Sequence, residues 1–149
     1  MFNNDINFSL WCDFIERDFL QDEFENLLQI GAINGVTSNP SIFKAAFLSD
    51  SYKDVIGQMG KKYPKALYEA LAVQDIKIAA TKLLRHYANG DDGFVSIEVD
   101  PSFCDNAAAT VDEGARLHAE IGMPNVMIKI PATKAGYEAM RDLLKKGIS

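Results

Sequence analysis

The chain has 149 residues, 48% of them hydrophobic and 24% charged, values of a single globular domain over residues 1–149 with a sizeable core. Its formal net charge is −6 and no basic patch stands out, so nucleic-acid binding is not expected, and no apolar run approaches the length of a membrane span. Cys12 and Cys104 lack CxxC or Cys/His ligand spacing, which argues against a metal site and suits two reduced thiols in a cytoplasmic protein.

The N-terminal stretch Met1–Phe8 has neither a basic region nor a long apolar run, and so does not read as a signal peptide. Phe8–Phe14 reads as a first strand. A helix follows over about Gln21–Ile30, with Phe24, Leu27 and Leu28 on one face and Gly31 as its stop. Gly35–Ser38 reads as a second strand. Asn39–Pro40 then opens a helix: the amide side chain takes an orphan N–H, and proline has none to lose. Pro64–Tyr87 is a long helix carrying Leu67, Leu71, Ile78 and Leu83/Leu84, closed by Asn89–Gly90. Phe94–Val99 is a third strand. Asp105 or Asn106 caps a helix to about Ile121, which Gly122 and Pro124 end. Val126–Ile130 is a fourth strand, and Thr133 caps a last helix to about Lys146. His86 and His118 fall in helical segments and read as surface or helix-packing residues.

Strand and helix alternate without hairpin signals, which is the pattern of βαβ units and a parallel sheet. The strands are short and rich in Val, Ile and Phe, as sheets covered on both faces require. An open doubly wound sheet usually offers a Gly-rich turn after its first strand. Here that turn is Asp13–Phe14–Ile15–Glu16–Arg17, so a barrel is favoured over a dinucleotide fold.

Each strand carries a polar residue at its C-terminal end: Asp13, Asn39, Glu98 and Lys129. That edge is where parallel β/α proteins build their sites. The two-residue strand period places Val95, Ile97 and Val99 toward the helices and Ser96 and Glu98 on the other face. Lys129 shares a face with Met127, and Asp13 with Trp11 and Ser9. Each residue also has a plain structural account: a loop start for Asp13, a helix cap for Asn39, an ion pair for Glu98 with Lys129. Lysine is rarely buried in an apolar strand unless it is paired or working. An unprotonated lysine amine attacks a carbonyl carbon, and the resulting iminium makes a neighbouring C–C bond breakable. Such chemistry needs a base for the hydroxyl proton of the departing aldehyde, which suits Asp13. It also needs proton transfers at the lysine nitrogen, which suit Glu98 acting through a water. Asn39 both donates and accepts, as holding a polyhydroxylated substrate requires.

Four ordered segments carry a family resemblance: Trp11–Cys12–Asp13, Gly35–Val36–Thr37–Ser38–Asn39–Pro40–Ser41, Ser96–Ile97–Glu98–Val99–Asp100–Pro101 and Met127–Ile128–Lys129–Ile130–Pro131–Ala132–Thr133. The chain resembles transaldolases, above all the longer bacterial and plant-type members. The resemblance implies an α/β fold, a parallel (β/α) barrel of TIM type, and a transferase that moves a dihydroxyacetone unit between sugar phosphates in the pentose phosphate pathway. It implies Lys129 as the Schiff-base lysine, Glu98 and Asp13 as its acid–base partners, and Asn39 with Thr37 as substrate-binding residues. No metal or organic cofactor is implied. Fructose-6-phosphate aldolase shares the Lys–Ile–Pro context but looks different at the position of Glu98, which favours the transaldolase reading.

The departure is in length. A complete barrel has eight strands and about 250 residues, and this sequence offers four β/α units, a half barrel. The family's phosphate-clamping arginine matches nothing present. Two raw sheet edges invite pairing, so the expected partners, besides sugar phosphates, are the missing C-terminal half or further copies of the chain. The other reading is a catalytically silent half barrel.

Overall fold

The computed structural model describes residues 8–60 and 63–149. Four strands form one parallel sheet in the order β1-β2-β3-β4: β1 is Trp11–Cys12, β2 Gly35–Val36, β3 Val95–Glu98 and β4 Val126–Lys129. Helices α1 (Arg17–Gln21) and α2 (Glu23–Gln29) follow β1. Helices α3 (Pro40–Ala46), α4 (Lys53–Met59) and α5 (Pro64–Ala88) follow β2, α6 (Ala107–Ile121) follows β3, and α7 (Lys134–Lys145) follows β4. This is an α/β fold that matches part of a TIM-type barrel.

The strands are shorter than their apolar patterns suggest. The first shrinks from Phe8–Phe14 to two residues. Asp13 and Phe14 lie past it and are exposed, and the ring of Phe14 turns edge-on to Phe19, 5.0 Å away. The first helix differs too. Glu16 accepts from the backbone N–H of Phe19 and so opens a helix at Arg17, four residues before the expected start, and the run breaks at Asp22 into α1 and α2. Its stop is as expected: Gly31 sits at φ +65°, and Ala32 N–H returns to Leu27 O. The segment between α3 and α5 holds a 3₁₀ turn, Asp50–Tyr52, and α4, neither marked by caps in the sequence.

The helix-facing aliphatics of the sheet build the core. Val36, Val95, Ile97, Val99 and Val126 are buried with Ile76, Ala79, Ala80 and Leu83 of α5, and with Leu117 and Ile121 of α6. Two glycines permit close approaches. A Cβ at Gly35 would lie 2.7 Å from the Trp11 indole, which packs across β2. Gly93, at φ +77°, enters β3 where a Cβ would lie 2.2 Å from Tyr87 N. The indole N–H donates to Asp92 at 2.6 Å, so β1 is tied to the turn before β3. At the far edge of the sheet, Ile128 N–H donates to the carbonyl of Ser149 at 2.8 Å.

Asp75 lies fully buried in the middle of α5. Arg17 reaches it with Nε at 2.9 Å and Nη2 at 2.6 Å, and the Tyr52 hydroxyl donates to its other oxygen at 2.6 Å. Burial pushes the Asp75 carboxyl up, while Tyr52 and Arg17 pull it down. Burial, and then the bond to Asp75, push the Tyr52 hydroxyl far above its ordinary value, so it remains a donor. Replacing Arg17 by Met leaves this carboxylate buried without its cation, and a loss of about 3–5 kcal/mol is expected in urea unfolding. A double change that also makes Asp75 Leu should recover much of that loss.

Candidate functional site

The register of β3 on β4 sets the centre of the site. Glu98 is the direct partner of Lys129, at the C-terminal end of both strands. Their side chains lie on the face away from the helices, with Lys129 Nζ 3.6 Å from Glu98 Oε2. The closest acceptor of Nζ is the carbonyl of Ser38, at 3.0 Å, beyond the end of β2. Lys129 was expected in an enclosed, apolar lumen. Its side chain is instead 40% exposed, at the end of β4, the outer strand of the sheet order.

Asn39 caps α3, its Oδ1 accepting from Ser41 N–H at 2.9 Å and Ile42 N–H at 3.0 Å. Two backbone donors require the oxygen to face the helix, so the amide N–H₂ points away from it and is left as the donating group. Thr37 accepts from the Ser96 hydroxyl at 2.9 Å, and its N–H donates to Cys12 O at 2.9 Å. Beneath them the Ser38 hydroxyl donates to Ser96 O at 2.7 Å. Thus Thr37, Ser38, Ser96, Glu98 and Lys129 form one hydrogen-bonded and ion-paired group across β2, β3 and β4. Asp13 is not part of it. It stands exposed past β1, at the opposite edge of the sheet from Lys129, with no hydrogen bond to a described residue.

Sequence reasoning missed Ser38 as a member of this group and took Ser96 only as a face-mate of Glu98. The available signal was the unbroken Thr37–Ser38–Asn39 run of small polar residues, which a strand end uses to satisfy its neighbours' backbone.

A cavity of about 260 Å³ opens beside Asn39 and Glu98, walled by Phe43, Tyr68, Ile97 and Leu117. Burial, with the negative charge of Glu98, pushes the Tyr68 hydroxyl up to about 12, which keeps it protonated at neutral pH. Lys65 pairs with Asp100 at the cavity rim, and Arg116 joins α6 to α5 through Glu69 at 2.8 Å. Burial raises the Cys12 thiol, which keeps it away from thiolate chemistry; Cys12 and Cys104 are both free. No group of three or more His, Cys, Asp or Glu side chains among the described residues is placed to hold a metal ion, and no described helix is long and apolar enough to cross a membrane.

Four parallel β/α units with an amine and a carboxylate paired at the C-terminal strand ends are the architecture of part of a TIM-type barrel. The chain belongs to the transaldolase/fructose-6-phosphate aldolase family, whose model matches residues 10–149. A transaldolase of Campylobacter jejuni is 56% identical over 144 residues, covering 96% of this chain and 44% of that relative. A transaldolase of Helicobacter pylori is 46% identical over 143 residues, covering 95% of this chain and 45% of that relative. The chain thus spans under half the length of these relatives.

The Lys65–Asp100 pair gives a pH test. Lys65, then Ser102, hold the Asp100 carboxyl at about 2, below its usual 3.8. A carboxyl lowered in the folded state stabilises it fully above the unfolded value and loses that contribution as pH falls through the folded one. Stability should therefore fall between pH 3.8 and about 2, and D100N should flatten that part of the curve. Thermal melts of both proteins across that range check it.

Proposed function

We propose that this chain supplies the Schiff-base half of a transaldolase. The observation that supports this most is the pairing of Glu98 with Lys129 in register, with Nζ between Glu98 and the Ser38 carbonyl. The unprotonated amine adds to the carbonyl carbon of a ketose phosphate such as fructose 6-phosphate. Loss of water gives the iminium, with Glu98 passing protons through a water. Asp13 takes the hydroxyl proton of the departing aldose phosphate. The C–C bond then breaks, and its electrons enter the iminium to leave an enamine. That enamine attacks the aldehyde carbon of an acceptor aldose phosphate, and hydrolysis frees Lys129. Asn39 and Thr37 hold the hydroxyls of the dihydroxyacetone unit. The pathway is the non-oxidative pentose phosphate route, in the cytoplasm.

The relatives' greater length supports an activity that belongs to an assembled barrel, in which further β/α units continue the sheet past β4 and close it onto β1. A second reading, a catalytically silent half barrel, is favoured by the exposure of Lys129 and by the distance of Asp13 from it across the sheet. Light scattering addresses this closure: a folded, monodisperse monomer with bare edges counts against it.

The central test is borohydride reduction in the presence of fructose 6-phosphate, read as intact mass and modified peptide, with circular dichroism as the control for folding. A dihydroxyacetone-sized or sugar-phosphate-sized adduct on Lys129 is expected, and K129M should abolish it. A folded chain without adduct assigns this polypeptide to the silent reading. With an active protein, E98Q should lower turnover by about 10²–10⁴-fold, the usual range for loss of a positioned acid–base group. Free aldehyde release in place of transfer identifies an aldolase instead.

A further inference from the structure

Lys129 is held by a stretch of backbone, and that backbone is itself held from both sides. Its Nζ donates to the Ser38 carbonyl at 3.0 Å, closer than the Glu98 carboxylate at 3.6 Å. That carbonyl belongs to the peptide joining Ser38 to Asn39. On one side the Ser38 hydroxyl, fully buried, donates to Ser96 O at 2.7 Å. On the other, the Asn39 side chain is anchored to the first turn of α3. The β2–β3 pairing aligns only Val36 with Val95. Two residues further on, a side-chain hydroxyl takes the place that a ladder bond fills in a longer strand.

We infer that Ser38 is a positioning residue for Lys129: its hydroxyl, fixed to Ser96 O, sets the direction of the carbonyl that holds the lysine amine. The inference rests on Lys129 being the reactive amine. The Ser38 hydroxyl, bonded to Ser96 O, touches no reacting atom; it acts by aiming the Ser38 carbonyl that holds Lys129 Nζ. An amine attacks a carbonyl carbon only along a narrow approach, so a tether at the right angle speeds productive attack while limiting random encounters. A Ser38 peptide free to rotate releases the amine to solvent. It then becomes more reactive toward any small electrophile and less well aimed at a bound sugar.

These opposite changes separate positioning from simple structural support. The full chain and its S38A variant are each labelled with trace acetic anhydride, and the acetylation of Lys129 is read by mass spectrometry against the exposed Lys134 of the same molecule. Borohydride trapping with fructose 6-phosphate is measured in parallel. In S38A, Lys129 acetylation is expected to rise about two- to tenfold, the worth of one hydrogen bond, while trapping falls. S38T, which keeps the hydroxyl, should match the parent in both. A folded S38A variant with parental Lys129 acetylation overturns the inference, as does an S38T variant as reactive as S38A. If the parent itself gives no adduct, the Schiff-base reading of this chain fails on its own, and acetylation still decides whether Ser38 positions the amine. If circular dichroism shows S38A unfolded, S38C, near-isosteric with only a weak S–H donor, is measured in its place.

Discussion

A carboxylate at the centre of the longest helix has to be neutralised where it stands, and the arrangement of the chain before it follows from that need. Asp75 is buried midway along α5. Its two partners come from different places: Arg17 from the helix after β1, Tyr52 from the insertion between α3 and α5. The guanidinium also lies over the Tyr52 ring, 5.1 Å from its centre. Glu16 and Asp18 extend the junction by accepting from Ser49 and Ser51. A buried ion pair contributes little net stability, but each partner without the other is costly. The result is a lock: α1, the insertion and α5 are held in one relative placement. Because α5 lies on the sheet, that placement also sets where the end of β2 stands relative to β3.

The strand-end group depends on that placement. β2 is two residues long and pairs with β3 at Val36 alone, so past it the backbone holds its end to β1, through Thr37 N–H and Cys12 O, and not to β3. Thr37, Ser38 and Asn39 supply the missing bonds, to Ser96 on β3 and to the first turn of α3. Short strands therefore account both for the hydroxyl-rich edge and for the carbonyl left free to meet Lys129. The same shortness leaves Asp13 outside the group, since β1 ends before reaching it.

The parts of the fold readable from sequence were those written in strong local chemistry. Asn39–Pro40, Asn106 and Thr133 each cap a helix as their residue types dictate. Val95, Ile97 and Val99 lie on the buried side as the strand period requires. What was unreadable depended on contacts distant in sequence. Glu16 opening α1, the turn and helix between Asp50 and Met59, and the buried hydroxyl of Ser38 all take their roles from partners that only the fold supplies. Lys129 shows the limit most clearly. An apolar strand around a lysine suggested burial, yet how far a strand end is covered depends on how many strands surround it.

The strand order β1-β2-β3-β4 is also the chain order. No strand waits for a distant partner, and each β/α unit docks on the one made just before it. Parallel sheets are usually slow to form because their contacts are non-local; here each closure spans only a single crossover. Synthesis from the N-terminus therefore presents the units in the order in which they lie side by side in the sheet. The Glu98–Lys129 register can form only once β4 has paired with β3, so the two groups meet after the first three of these strands have been made.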